Sequence, residues 1–365
     1  RLKLLIPAGL LIFSLTGCGE KPVNALPEII GSMELEYAEQ FSVDYCADGC
    51  SLVTIGEDRF IVVPEGNDVP QNTEGATVIR QPLSNIYVAA SSAMDLFDAA
   101  GGLGKVTMTS TSADSWSLPN IRSAVSSGEI EFIGKYSSPD YETLVSQNCG
   151  LAVESTMIYH SPKVKEQIQE LGIPVIVERS SYETHPLGRM EWIKLYGLLL
   201  GDLDPAKERF DEKIKAFEEL PDIDIPENER KTAAFFYITS NGYASIRKPG
   251  DHVSKMIELA GGRYIFTADD LNVDDNALST MNIQIETFCD TARDADILIY
   301  NSTIDGELET IDQLVEKCGV LADFKAVKNG DVWCAGQNMF QQTTGAADMI
   351  CDLNAVFSGT ADEEK

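Results

Sequence analysis

The run LGRMEWIKLYGLLL, residues 187–200, decides the architecture of this chain. It is apolar at helical spacing and free of proline, which predicts one helix over 187–200, stopped at Gly201. At 1.5 Å per residue such a helix spans about 20 Å, enough to bridge two lobes. Asp204-Pro205 then opens a second helix, with Asp204 as N-cap and Pro205 at the first position. Phe210, Ile214 and Phe217 repeat along one face of it.

The sequence alternates on both sides of this spine. Before it, short apolar strands at 77–80, 86–89, 106–109, 132–133, 151–153 and 175–177 are separated by helical stretches, among them Ser91 to Ala99 and Pro162 to Leu171. After residue 230 the same pattern resumes with strands at 232–238, 243–246, 265–266, 297–300 and 332–334 and a last helix from Thr344 to Phe357. Alternation of this kind predicts an α/β fold: two α/β lobes with mostly parallel sheets, joined by a long helical spine. The expected divisions are an N-terminal lobe at 76–186, linking helices at 187–220, a C-terminal lobe at 221–357 and a polar tail at 358–365. No repeat at solenoid periods is present.

Residues 33–75 fall outside that pattern. They hold two strand-like runs, Leu35 to Tyr45 and Ser51 to Val63, around Asp48-Gly49, and predict an N-terminal β-hairpin. Cys46 and Cys50 flank its tip, either as a small disulfide or as two free thiols. The other cysteines lie among apolar residues and show no zinc spacing.

The extreme N-terminus places the chain in a compartment. Arg1 and Lys3 precede an apolar run from Leu4 to Leu15, and the run ends Leu15-Thr16-Gly17-Cys18. This is the layout of a secretory signal at 1–17. It resembles the lipobox of bacterial lipoproteins, which implies cleavage before Cys18, lipid on that residue, and a tether over 18–32. The expected location is extracytoplasmic, held to the cell membrane by the lipid on Cys18.

Composition narrows the function. Of 365 residues, 28 are Lys or Arg and 58 are Asp or Glu, a net charge of −30. Such an acidic surface repels phosphates and excludes nucleic acid as a partner. GxSxG, HExxH and phosphate-binding glycine loops are absent from the sequence, so an enzyme is not expected. The three histidines, His160, His185 and His252, are too few for a bare-metal site.

Five motifs in order carry a family resemblance: Asn85 to Ser92 with Gly104-Lys105-Val106, Tyr141 to Val145, Leu171 to Val175, Met256 to Gly262, and Val327 to Trp333. Behind a lipobox they resemble the substrate-binding proteins of ABC importers, in the class that handles siderophores, haem and corrinoids. The resemblance covers roughly residues 76–357. It implies capture of a metal chelate between two lobes and delivery to an ABC permease with its ATPase. The cargo order it suggests is a ferric siderophore, then a corrinoid such as cobalamin, or haem. It also implies a monomer without a resident cofactor, and permease docking through a glutamate on each lobe, at Glu142 and Glu258. A lipid-anchored extracytoplasmic enzyme and a ligand sensor on the same fold are the alternatives.

In a two-lobe binder the ligand meets loops at the carboxyl ends of strands. The expected ligand residues are Ser92, Trp116, Tyr136, Tyr159, His160, Arg179, Tyr182, Tyr243, Arg247, Asn301 and Phe340. Trp116 offers a stacking plate for a flat ligand. Arg179 and Arg247 offer planar pairing to carboxylates or catecholates. Tyr159 and His160 offer ligands to iron or haem.

Overall fold

The computed structural model describes residues 27–221, 225–274 and 279–361. The signal segment and Cys18 lie outside the described residues, as does the end of the tail at 362–365. No helix among the described residues is long and apolar enough to cross a membrane.

The N-terminal region is larger than a hairpin. Strands β1 (Ile29–Ser32), β2 (Phe41–Cys46), β3 (Ser51–Ile55), β4 (Asp58–Val63) and β5 (Thr77–Arg80) form one five-stranded sheet in that order. The run expected as one strand, Ser51 to Val63, folds back on itself at Gly56-Glu57, with Ile55 facing Asp58. The strand at 77–80 pairs parallel with β4 and does not join the sheet of the first lobe. Period-two alternation explains why the sheet is buried on both sides. Val53, Ile55, Phe60 and Val62 face the main core, whereas Leu52, Ile61 and Val63 form a small outer cluster with Cys46 and Cys50. Those two cysteines are buried free thiols.

The first lobe comprises β6 (Ile86–Val88), α1 (Ser91–Ala99), β7 (Val106–Thr109), α2 (Pro119–Ser127), β8 (Glu131–Phe132), β9 (Gly134–Lys135), β10 (Ser138–Pro139), α3 (Tyr141–Ser146), β11 (Leu151–Ser155), α4 (Pro162–Glu170) and β12 (Val175–Glu178). Its main sheet runs β12-β11-β6-β7-β8 and is parallel throughout.

The spine is α5 (Pro186–Glu191), α6 (Ile193–Leu200) and α7 (Asp204–Glu218). The helix expected over 187–200 is therefore two helices with a tight turn at Trp192, whose carbonyl accepts from Leu195 N at 3.0 Å. The break has a cause: the Trp192 indole is fully buried and is held by Glu183 at 2.8 Å and by Phe41 edge to face. At α7 the N-cap is Leu203, one residue before the expected Asp204.

The second lobe holds β13 (Thr232–Ile238), β14 (Ala244–Arg247), α8 (His252–Leu259), β15 (Arg263–Tyr264), α9 (Ala268–Leu271), β16 (Thr280–Ile283), α10 (Ile285–Ala292), β17 (Ile297–Asn301), α11 (Ile311–Lys317), α12 (Lys325–Asn329), β18 (Val332–Ala335) and α13 (Ala346–Ser358). Its sheet runs β16-β14-β13-β17-β18, with β15 also pairing with β13. Pairings β13·β17, β17·β18 and β13·β15 are parallel, and the β13-β14-β16 edge is antiparallel. One apolar core runs from the N-terminal sheet through the spine into this lobe, and a second fills the opposite face of the first lobe's sheet.

The lobes are also stitched by side chains. Thr344 gives its N–H and hydroxyl to the buried Asp95 at 2.7 and 2.8 Å, and Thr343 donates to Ser92 O at 3.0 Å. Gln341 accepts from Ser117 N at 2.7 Å and donates to Ser115 O at 2.8 Å.

Candidate functional site

Two arginine–aromatic clusters form, one on each lobe. On the first lobe, β11 ends in a tight turn that carries Tyr159 and His160, and Arg179 directly follows β12. The Arg179 guanidinium lies 4.9 Å over the Tyr182 ring and 3.5 Å from the Tyr159 hydroxyl. Tyr159, His160 and Tyr182 are exposed and Arg179 is half-buried, so an apolar-edged cationic face meets solvent. Ser92, at the start of α1, joins from below by donating to Glu178 at 2.9 Å.

The N-terminal sheet backs this cluster. Gln40 accepts from Arg179 Nη2 at 3.2 Å, and Gly56 sits so close that an added Cβ would stand 2.8 Å from Nη1. That support is invisible in the sequence, because the contacts cross more than a hundred residues. Two buried glutamates on the spine side hold the supporting segment. Glu191 accepts the backbone N–H groups of Glu36, Tyr37 and Ala38 and pairs with Lys194 at 2.7 Å. Glu183 accepts those of Glu39 and Gln40. His185 stacks on Tyr37 at 4.8 Å, and its Nδ1 accepts from Leu187 N at the start of α5. Burial pushes its pKa down to about 4, which keeps it neutral.

On the second lobe, the Arg247 guanidinium lies 4.4 Å over the Phe340 ring and 3.4 Å from Asp251. His252 meets Phe340 edge to face at 6.0 Å, and its Nδ1 is 3.3 Å from Asp251. Burial opposes the charge on Asp251, but His252, Arg247 and the Val253 amide outweigh it and hold the carboxyl well below the usual range. Burial and the neighbouring Arg189 push His252 down to about 4. Arg189, on α5, stands between the clusters and feels Glu178 of one lobe and Asp251 and Arg247 of the other. The stretch carries two bases among core residues, Arg189 and Lys194, and only Lys194 has a near acid in sequence to which it is paired, Glu191.

Several expected ligand residues face elsewhere. Trp116 is fully buried, and its Nε1 donates to Thr111 O at 3.2 Å. Its ring completes the core beside α2 and offers no plate to a ligand. Asn301 is buried too, and its side-chain oxygen is taken by Thr303 N–H and hydroxyl in a local turn. Tyr136 is half-buried against the second core. Tyr243 is exposed at the β13–β14 turn. Glu142 is exposed in the first turn of α3, and Glu258 pairs with Lys255 at 3.1 Å. Among the described residues, His, Cys, Asp and Glu form no group of three that could hold a metal ion.

No family model matches the chain. An uncharacterized lipoprotein of Methanocaldococcus jannaschii is 26% identical over 286 residues, which is 76% of this chain and 66% of that protein. The chain thus spans just under two thirds of that relative's length. A second uncharacterized lipoprotein of the same organism is 25% identical over 82% of this chain and 76% of its own. Among solved structures, a periplasmic heme-binding protein from Pseudomonas aeruginosa is 15% identical, with 76% of this chain and 94% of that chain covered and a TM-score of 0.60. The periplasmic catecholate-siderophore binding protein VctP from Vibrio cholerae is 16% identical, with coverage of 75% and 94% and a TM-score of 0.59. At these identities the likeness is one of fold: this chain has the two-lobe fold of periplasmic binding proteins.

Proposed function

We propose that this chain, built on the fold of the periplasmic binding proteins, is an extracytoplasmic solute-binding lipoprotein. It captures a small metal chelate between its lobes and delivers it to an ABC permease. The observation that carries the reading is the pair of arginine–aromatic clusters, Arg179 with Tyr159 and Tyr182 on one lobe and Arg247 with Phe340 on the other. A guanidinium flanked by rings suits a planar ligand with carboxylate or catecholate groups, because the rings take the flat face and the fork takes the anion. Such groups favour a ferric siderophore or haem over a neutral corrinoid. The relatives' description as lipoproteins supports lipid anchoring at Cys18. The exposed Glu142 and the solvent-facing Glu258 supply the two-point dock to a permease.

The test is calorimetric titration of the protein with a ferric catecholate siderophore, cobalamin and haem. Saturable binding of one class, weakened at least about tenfold by Arg179→Ala or Arg247→Ala, is the expected outcome. Binding that ignores both substitutions, or no saturable binding of any of the three, overturns it.

A further inference from the structure

A cavity of about 550 Å³ lies between β18 and α13, over the sheet face that carries Ile299, Trp333 and Ala335. It is a different space from the solvent-facing Arg179 cluster, and it meets the Arg247 cluster only through Phe340 and His252. Met256, Met339, Met349 and Leu353 make its wall largely apolar. The volume falls in the range of small-molecule sites.

Arg189 lines this cavity. The residue is nine-tenths buried, yet among the described residues no oxygen stands within hydrogen-bond or ion-pair distance of its guanidinium. A buried guanidinium normally carries a carboxylate, because desolvating it alone is costly. Three carboxylates act on Arg189 from nearby, and each is committed to other donors. Glu178 accepts from Ser92 and from Ser180 N at 2.9 and 2.7 Å. Glu183 accepts from Glu39, Gln40 and Trp192. Asp251 accepts from Arg247, Val253 N and Ser279 N. In a chain with 58 acids and 28 bases, a buried base without its own acid is a donor set aside for something else.

We infer that this cavity binds a small amphiphilic monoanion, with a carboxylate paired to Arg189 and an apolar body held by Met256, Met349 and Trp333. The fork of Arg189 fits one carboxylate in bidentate fashion. His252 adds no positive charge, since its Nδ1 side is engaged with Asp251 and burial keeps it neutral. Asp348 also lines the cavity, with its charge paired to Lys213 at 2.6 Å. The inference shares Phe340 and His252 with the second-lobe cluster, but its test reads Arg189, which the cargo reading does not use.

The protein carries its own reporter. Trp116 and Trp192 are fully buried in the core, whereas Trp333 lines the cavity and is half-buried. Tryptophan emission is followed while phenylbutyrate, phenylbutanol or phenylbutylamine is titrated into the protein. The expected result is a saturable change with phenylbutyrate, at least about tenfold tighter than with the alcohol, and the weakest response to the amine. Arg189→Met brings the acid and the alcohol within about twofold of each other, as loss of one charge-assisted pair requires. Met349→Phe, which leaves Trp333 as the cavity's tryptophan, narrows the cavity and weakens all three responses. Should that variant fail to fold by circular dichroism, Val356→Phe applies the same steric test from the neighbouring turn of α13. Equal affinity for acid and alcohol, no saturable response, or an acid preference that survives Arg189→Met overturns the inference.

Discussion

Glu154 in the first lobe and Glu191 at the spine are both fully buried carboxylates, and they live in opposite worlds. Glu191 receives three backbone N–H groups between 2.8 and 3.1 Å and the Lys194 ammonium at 2.7 Å. Glu154, on β11, has no hydrogen-bond partner for either oxygen, and burial pushes its pKa up to about 8. The pKa of Tyr87 beside it is also raised, by burial first and then by Glu154. Burial therefore does not decide whether an acid helps or harms a fold. The donors around it do. At the spine the acid is the reason the N-terminal segment sits where it supports Arg179. In the first lobe the acid is carried by the fold as a neutral group below its raised pKa.

The largest effect should come from breaking the well-served acid. Glu191→Ala leaves three amides unpartnered and the buried Lys194 ammonium without its carboxylate, and should cost on the order of 5 kcal/mol in urea unfolding. A cost below about 1 kcal/mol would show that water replaces the carboxylate and that the contrast is false.

Glu154→Gln should do the reverse. The unfolded carboxyl titrates near 4.5 and the folded one near 8, so the folded chain holds a proton that the unfolded chain releases. Stability then falls as pH rises from 4.5 to 8 and stays low above that. The amide removes this loss, so Glu154→Gln should stabilise by on the order of 3 kcal/mol at about pH 9 and by little at about pH 4. Thermal unfolding at the two pH values checks it, and a pH-independent difference would refute the assignment.

Gly188→Ala sharpens the spine side. A Cβ there would stand 2.6 Å from Tyr37 O and 3.0 Å from Tyr37 C, both backbone atoms. The segment held by Glu191 must retreat, at roughly 2 kcal/mol. Hydrogen exchange at Glu36 to Ala38 should rise with it, and unchanged protection would place that segment's order elsewhere. The smallest effect is expected at the clasp between the lobes. Gln341→Ala removes two hydrogen bonds to Ser115 and Ser117 and should cost about 1 kcal/mol. Its informative readout is small-angle scattering, where a more open average shape is expected and an identical profile would deny the clasp a role in lobe spacing.

Much of the fold was open to reading along the chain, since strand and helix periods are local. The parallel strands of the first lobe, the helices after them and the glycine stop at Gly201 follow from neighbours within a few residues. Strand partners are not local. Thr77–Arg80 reads equally well as the first strand of a lobe or the last of the preceding sheet, and only its register with Phe60 to Val63 decides. Trp116 shows the same limit at the candidate site. Its polar neighbours Ser115 and Ser117 suggest an exposed loop, while the main core takes the ring inside. Arg179, Tyr159 and Tyr182 were identifiable as polar and aromatic residues at strand ends, which is a property of order along the chain. Their mutual contacts, and the backing from Gln40 and Gly56, are not.

The sequence by itself determined the two alternating halves, the helical character of the stretch between them and the acidic charge, because each is a matter of composition or short-range period. Tertiary structure alone decided which buried acids are satisfied, which arginine is left without one, and which aromatic rings face solvent. Those are questions of donors and neighbours, and the residues that answer them lie up to 249 positions away in the chain, as Thr344 does from Asp95.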